Sequence, residues 1–211
     1  MRLVTALALA VWTSACGGEP ASPTEAGAAT PAPAHARPQA TPAPRGALPG
    51  DSLYQLGDTW TDQGGEPRQL AELRGHVVVL AMMFTHCTYA CPRIVADMRA
   101  IEDGLAADTA DDVRFVLASY DTKRDTPETL RAFAASKGLN LARWTLLHGD
   151  PGAVRELSAA IGGSYTENDL GNFAHTNQVV VLDREGRQVF RQEGLGVAPA
   201  GALAAIRQLE R

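Results

Sequence analysis

Cysteine is scarce in this chain: its 211 residues hold three, Cys16, Cys87 and Cys91. If Cys16 is taken up by N-terminal processing, one intramolecular disulfide at most remains open, in a compartment where disulfides can form. Basic charge is not in excess. There are 19 Lys and Arg against 24 Asp and Glu, a net charge of −5, and the basic residues are scattered. That balance excludes a nucleic-acid footprint. Long apolar runs are missing too. The N-terminal one, Leu3 to Trp12, falls short of the roughly 20 residues a membrane-spanning helix needs. The chain has no internal repeats.

What is present starts with a leader. Arg2, the short apolar run and the small residues Thr13-Ser14-Ala15 before Cys16 describe a secretory signal peptide over residues 1–15. A cysteine directly after small residues resembles a bacterial lipobox, which implies lipidation of Cys16 as the mature N-terminus. Thr13 stands where that pattern usually has Leu, and plain cleavage after Ala15 is the alternative. Residues 16–50 are dominated by Ala, Pro, Thr and Gly, with His35 as a solvated bystander. Such a segment cannot bury enough apolar surface to order itself and is expected to act as a tether. About 30 flexible residues reach roughly 30 Å. Residues 51–211 suffice for one domain with a proper core.

Within that domain, Trp60 to Pro67 reads as two short strands joined at Gly64-Gly65, and Gln69 to Arg74 as one helical turn. Val77 to Phe84 is a continuous apolar run, as expected of a strand buried on both faces. Val113 to Ser119 and Trp144 to Leu147 read as further strands. Asp125-Thr126-Pro127-Glu128 starts a helix that stops at Gly138, and a second runs from Pro151 to Ile161. A hairpin turning at Glu185-Gly186 and a helix from Pro199 to Leu209 close the chain. The alternation predicts an α/β fold with a mixed central sheet flanked by helices.

The chemistry concentrates in Phe84-Thr85-His86-Cys87-Thr88-Tyr89-Ala90-Cys91-Pro92. Pro92 suits the first helical position, and Ile94, Val95, Met98 and Ile101 follow at helical spacing. Cys87 and Cys91 then flank a strand-to-helix turn. Cys91 is placed at the positive end of the helix, which stabilises thiolates, the form that binds metal and attacks disulfides. A thiol pair alone leaves redox, peroxidase, metal and structural-disulfide roles open. The partner that narrows them is His175, in the segment entering the last hairpin, which this topology brings beside the cysteine turn. Two thiolates and an imidazole suit cuprous ion, and the imidazole also supports cupric ion. Structural zinc usually takes four ligands. Adjacent strand residues point to opposite sides, so His86 is expected at the surface. Thr88 and Tyr89 are expected to shape a docking surface.

Several spaced motifs carry a resemblance covering nearly everything from Trp60 onward. They are Thr61-Asp62-Gln63-x-Gly65, Phe84-Thr85-His86-Cys87-x-x-x-Cys91-Pro92, Ser119-x-Asp121-x-x-x-Asp125-Thr126-Pro127, and His175-Thr176 followed by Leu182-Asp183-Arg184-x-Gly186. In this order they resemble the Sco/SenC family of copper-binding proteins. The resemblance implies a thioredoxin-like fold with an N-terminal β-hairpin extension, and copper (Cu+ or Cu2+) bound by Cys87, Cys91 and His175. It implies a role in assembling the copper A centre in subunit II of a respiratory oxidase, by copper delivery, by reduction of the target cysteines, or both. Other copper chaperones become expected partners, and the expected location is the bacterial cell envelope, lipid-anchored with the domain on the extracytoplasmic side. An acid often precedes the histidine in that family. Here Ala174 stands in its place, so a partner for the imidazole is expected from Asn177 or Gln178. Asp121 and Asp125 could form a weak second cation site, although turn and helix-cap duties explain them more simply.

Two other functions compete. A metal-independent thiol–disulfide oxidoreductase would reversibly form a Cys87–Cys91 disulfide, but such enzymes usually place a cis-proline opposite their cysteines, and Phe173 to Gln178 contains no proline. A peroxiredoxin-type peroxidase carries Pro-x-x-x-Thr-x-x-Cys, and neither that proline nor a threonine at that spacing precedes Cys87.

Overall fold

The central strand explains the architecture. In the computed structural model, which describes residues 46–169 and 171–209, Val77–Met83 forms a strand in which all seven residues are buried. The leader, Cys16 and most of the tether lie outside the described residues. Nine strands are described: β1 (Trp60–Asp62), β2 (Pro67–Arg68), β3 (Val77–Met83), β4 (Val113–Ser119), β5 (Trp144–His148), β6 (Tyr165–Glu167), β7 (Phe173–His175), β8 (Gln178–Leu182) and β9 (Gln188–Glu193). The helices are α1 (Ala90–Asp103), α2 (Pro127–Ser136), α3 (Pro151–Ala160) and α4 (Ala200–Gln208), with 3-10 turns at Leu53–Gln55 and Leu70–Leu73.

Seven strands form one sheet in the order β2-β1-β5-β4-β3-β8-β9. Strands β3, β4 and β5 run parallel, while β8 pairs antiparallel with β3 and β1 antiparallel with β5. This is the mixed sheet the sequence predicts. The N-terminal hairpin is part of that sheet's edge, because Thr61 and Asp62 pair with His148 and Leu147. Strands β6 and β7 form a separate two-stranded hairpin, which the sequence reading leaves as a loop.

Alternation along the strands divides the core in two. Val77, Val79, Ala81 and Met83 of β3 meet α1, α2 and α4 through Ile94, Met98, Leu130 and Ile206. Val78, Leu80 and Met82 face α3 and the 3-10 turns through Val154, Leu157, Leu70 and Tyr54. Each fully buried aliphatic side chain contributes about 1.5–3 kcal/mol. The layers therefore hold the C-terminal ends of β3 and β4, where the cysteine turn begins, as a rigid platform.

Helix starts follow local chemistry. The Thr126 side chain accepts a hydrogen bond from the Thr129 N–H ahead of α2, and the Asp150 side chain accepts from Gly152 and Ala153 ahead of α3. Helix α1 begins at Ala90, two residues earlier than the proline implies. Pro92 is still within the first turn, where a missing N–H costs little.

The β8–β9 turn depends on a glycine for two reasons. Gly186 has φ of 81°, and a Cβ there would lie 2.6 Å from the buried Tyr54 ring. Gly196 has a similar φ of 70° but open space around it. Gly196→Ala should therefore cost only the left-handed backbone penalty, about 1–2 kcal/mol. Gly186→Ala should cost a further 1–3 kcal/mol or so from overpacking. Urea midpoints of the two variants give the comparison.

Candidate metal centre

Three separate elements supply the donors. Cys87 lies in the turn after β3, Cys91 in the first turn of α1, and His175 ends β7. Their sulfur and nitrogen atoms all lie within 4.8 Å of one another. Cys91 Sγ and His175 Nε2 are 4.0 Å apart. Bonds of about 2.3 Å to sulfur and 2.0 Å to nitrogen, as zinc makes, separate neighbouring donors by roughly 3.5–4 Å. Two sulfurs and one imidazole thus fit a soft ion, with cuprous ion favoured by the donor chemistry.

The phase of α1 makes the two thiols unequal. Cys91 falls on the stripe of Ile94, Val95, Met98 and Ile101, three, four, seven and ten residues on, and like them it is buried. Burial pushes its thiol pKa up, and the nearby Cys87 and Asp125 add to that, against a hydrogen bond from the Phe84 N–H. Cys87 is only partly buried. Desolvation acts against its thiolate too, but the N–H groups of Cys91, Tyr89 and Ala90 at the open end of α1, with the Cys91 thiol, outweigh it and lower its pKa. The Cys91 N–H lies 3.3 Å from Cys87 Sγ. Thiolate stabilisation at the helix end, expected for Cys91 from its position, falls to Cys87. Both cysteines are free.

The imidazole is fixed by main chain. His175 Nδ1 is 3.1 Å from the Thr176 carbonyl oxygen. A carbonyl only accepts, so Nδ1 carries the proton and Nε2, facing Cys91, keeps its lone pair. Burial lowers the His175 pKa against the effect of that carbonyl and favours the neutral ring. Asn177 and Gln178, expected to supply this contact, do not. Gln178 is buried with its Nε2 donating to the Ile161 carbonyl, and Asn177 Oδ1 is buried without a hydrogen-bond partner. Both belong to the passage into β8, where the chain is already directed toward the sheet.

Aromatic rings enclose the imidazole. The Tyr120 ring lies 5.0 Å from it between centroids, and Phe84 approaches edge-on at 5.9 Å. Phe173 and Tyr165 continue the cluster. Phe84 heads the cysteine motif, but no residue-type motif singles out Tyr120, Tyr165 or Phe173. The one available signal is that Phe84 and Tyr120 each directly follow a buried strand.

Asp125 anchors the cysteine turn. It has no exposed surface. Its carboxylate accepts from the Thr85 N–H (2.9 Å), the Thr85 hydroxyl (2.5 Å) and the Ser119 hydroxyl (2.5 Å). Helix capping, expected of it, is done by Thr126. Asp121 is also buried, accepts from the Lys123 and Arg124 N–H groups and is paired with the Arg124 guanidinium. His86 is exposed, as expected, with Nδ1 3.9 Å from Asp125. Although His86, Asp121 and Asp125 lie within 4.8 Å of one another, both carboxylates already have donors, and bracing of the loop accounts for them.

Tyr89, between the cysteines, is 66% exposed, the largest value among the big apolar and aromatic side chains described. The Arg93 guanidinium sits over its ring at 4.0 Å.

Known proteins share this arrangement of elements. The family model described as SCO1/SenC matches residues 54–209. The SCO1 protein homolog of Bacillus subtilis is 34% identical over 148 residues, 69% of this chain and 68% of that protein. A SCO1/SenC family lipoprotein from Bacillus anthracis superposes with a TM-score of 0.66 at 26% identity, over 72% of this chain and 92% of its own. Bradyrhizobium japonicum ScoI, solved with copper bound, gives a TM-score of 0.57 at 26% identity, over 72% of this chain and 96% of its own. With a family match over most of its length, on a thioredoxin-like fold, this chain belongs to the SCO1/SenC family.

Proposed function

We propose that the chain is a copper-binding assembly factor that holds one copper ion at Cys87, Cys91 and His175 and passes it to a thiol-bearing acceptor. The convergence of two thiol sulfurs and a neutral imidazole Nε2 at one point carries this reading. The copper-bound Bradyrhizobium relative supports it. We further propose that the acceptor is the copper A subunit of a respiratory oxidase, as the family resemblance implies. The domain would work outside the cytoplasm, tethered through Cys16. The leader pattern and the Bacillus anthracis lipoprotein support that placement, and no helix among the described residues is long and apolar enough to cross a membrane.

In this reading the copper ion is cargo, and the protein's task is to hold it in an exchangeable form. Cys91 is buried, while Cys87 and His175 are partly exposed. An acceptor thiolate can reach the cargo from the exposed side, beside Cys87, while the remaining donors retain it, so exchange needs no fully released ion.

The inequality of the thiols supports a second activity at the same site, reduction of an acceptor's disulfide. The Cys87 thiolate would attack one sulfur of that disulfide, forming a mixed disulfide and releasing the other sulfur as a thiolate. Cys91, on losing its proton, would attack the Cys87 sulfur. That closes a Cys87–Cys91 disulfide and releases the second acceptor thiolate, with two electrons passed. Copper binding requires the reduced pair, so the activities exclude each other in any one molecule at any one moment.

Anaerobic cuprous titration of the reduced chain should reach one ion per molecule. His175→Ala should weaken cupric retention by more than about 100-fold, beyond what loss of an outer partner costs. Unchanged retention would remove the histidine from the site. In metal-free protein, iodoacetamide should modify Cys87 first. Because its pKa is lowered, its rate should level off at a lower pH than that of a free cysteine, whose pKa is about 8.5. Cys91 should react only on unfolding, and equal labelling of both would refute the asymmetry. Tyr89→Ala should leave copper affinity unchanged and slow transfer to an acceptor by about tenfold, comparable to losing a modest interface anchor. Stopped-flow mixing with a copper A domain measures this.

A further inference from the structure

The loop between β4 and α2 touches both halves of the site. Toward the cysteines, Asp125 holds Thr85, two residues before Cys87. Toward the histidine, Arg124 Nη2 donates to the Gly171 carbonyl, in the turn of the β6–β7 hairpin, four residues before His175. The same guanidinium donates through Nε to Asp121. Asp121 in turn receives the Arg124 N–H at 3.0 Å, and its carbonyl receives the Asp125 N–H at 3.1 Å.

The hairpin is held to the rest of the fold mainly by aromatic packing, with few polar ties among the described residues. It forms its own two-stranded sheet, with Thr166 and Ala174 exposed. Isolated two-stranded hairpins are at best marginally stable. Phe173 and Tyr165 pack inward. Lys123 and Glu167 add an exposed ion pair, of a kind worth little. The Arg124 fork is therefore the half-buried polar connection between the hairpin and the loop that also fixes the cysteine turn.

We propose that Arg124 is a positioning residue of the metal centre, bridging Asp121 and the Gly171 carbonyl so that the hairpin holds His175 at the distance set by the cysteine turn. This rests on the copper reading above for its ligand. The bridge needs a planar fork that donates in two directions at once. A lysine in its place supplies charge for Asp121 but no second directed donor.

The test compares wild type, Arg124→Ala and Arg124→Lys as purified chain. Cuprous affinity is read by competition with a chromophoric chelator, the cupric–thiolate absorption band by spectroscopy, and backbone amide exchange of Phe173 to His175 in metal-free protein. Arg124→Ala should lose about 10- to 100-fold in affinity, as for partners that orient metal ligands. Its absorption band should shift, and exchange in β7 should quicken while that of α1 stays unchanged. Arg124→Lys should behave like the alanine variant. Wild-type affinity and band in Arg124→Ala would overturn the proposal. So would full rescue by lysine, which would reduce the role to charge, or faster exchange spread evenly over the domain. Failure of wild type to bind copper would overturn the copper reading alone, and the exchange data would still decide whether the bridge exists.

Discussion

The Asp125 carboxylate is the fixed point of this structure. A charge with no exposed surface must have its lone pairs met, because stranding it costs several kcal/mol. Here the Thr85 N–H, the Thr85 hydroxyl and the Ser119 hydroxyl meet them. Ser119 ends β4 and Thr85 lies just beyond β3, and these strands pair in parallel up to Met83 and Ser119. The carboxylate therefore binds two adjacent strand exits into one unit at the place where the chain leaves the sheet. Cys87 follows Thr85 by two residues, and its N–H is received by the Phe84 carbonyl. The position of the outer thiol is thus determined by a carboxylate nearly forty residues away in sequence.

From there the helix phase does the rest. A turn of this length puts Cys91 on the face of α1 that packs against the sheet, and Cys87 above it at the helix end. One thiol is desolvated and the other receives N–H groups. The same inequality would suit both kinds of exchange proposed above. A thiol at the mouth of the site with a lowered pKa is the first point of contact for an incoming thiolate or disulfide. A buried thiol with a raised pKa stays protonated and unreactive until its partner has been engaged. Metal transfer and thiol–disulfide exchange both call for such an order, so one geometry can support both.

Much of this was readable from residue types, and the remainder was not for identifiable reasons. The apolar run from Val77 and the caps at Thr126 and Asp150 define their elements through local physics, and the fold follows from their alternation. Extending the α1 stripe backward from Ile94 would have reached Cys91 and foretold its burial. The β6–β7 hairpin could not be read this way. Tyr165 to Glu167 is short and lies largely exposed, and neither it nor Phe173 to His175 carries the apolar alternation that marks a strand. The contact that orients His175 was also hidden. It comes from a main-chain carbonyl, and carbonyls leave no mark in residue identity. Arg124 looked like one more scattered basic residue, because its second partner is again main chain.

The absence of an acid before His175 can now be understood in structural terms. Along β7, Phe173 and His175 turn inward while Ala174 is exposed and sits opposite Thr166 in the two-stranded pairing. In a strand, neighbours point to opposite sides. A carboxylate at position 174 of this chain would project into solvent on the face away from the imidazole, too far around the strand to reach Nδ1. That nitrogen is already occupied by the Thr176 carbonyl, a weaker acceptor than a carboxylate. A neutral acceptor raises the basicity of Nε2 less than a charged one does. Together with burial, this leaves His175 a neutral imidazole and a weaker donor than a carboxylate-backed ring. In the copper-carrier function proposed above, a histidine held in this way would assist release.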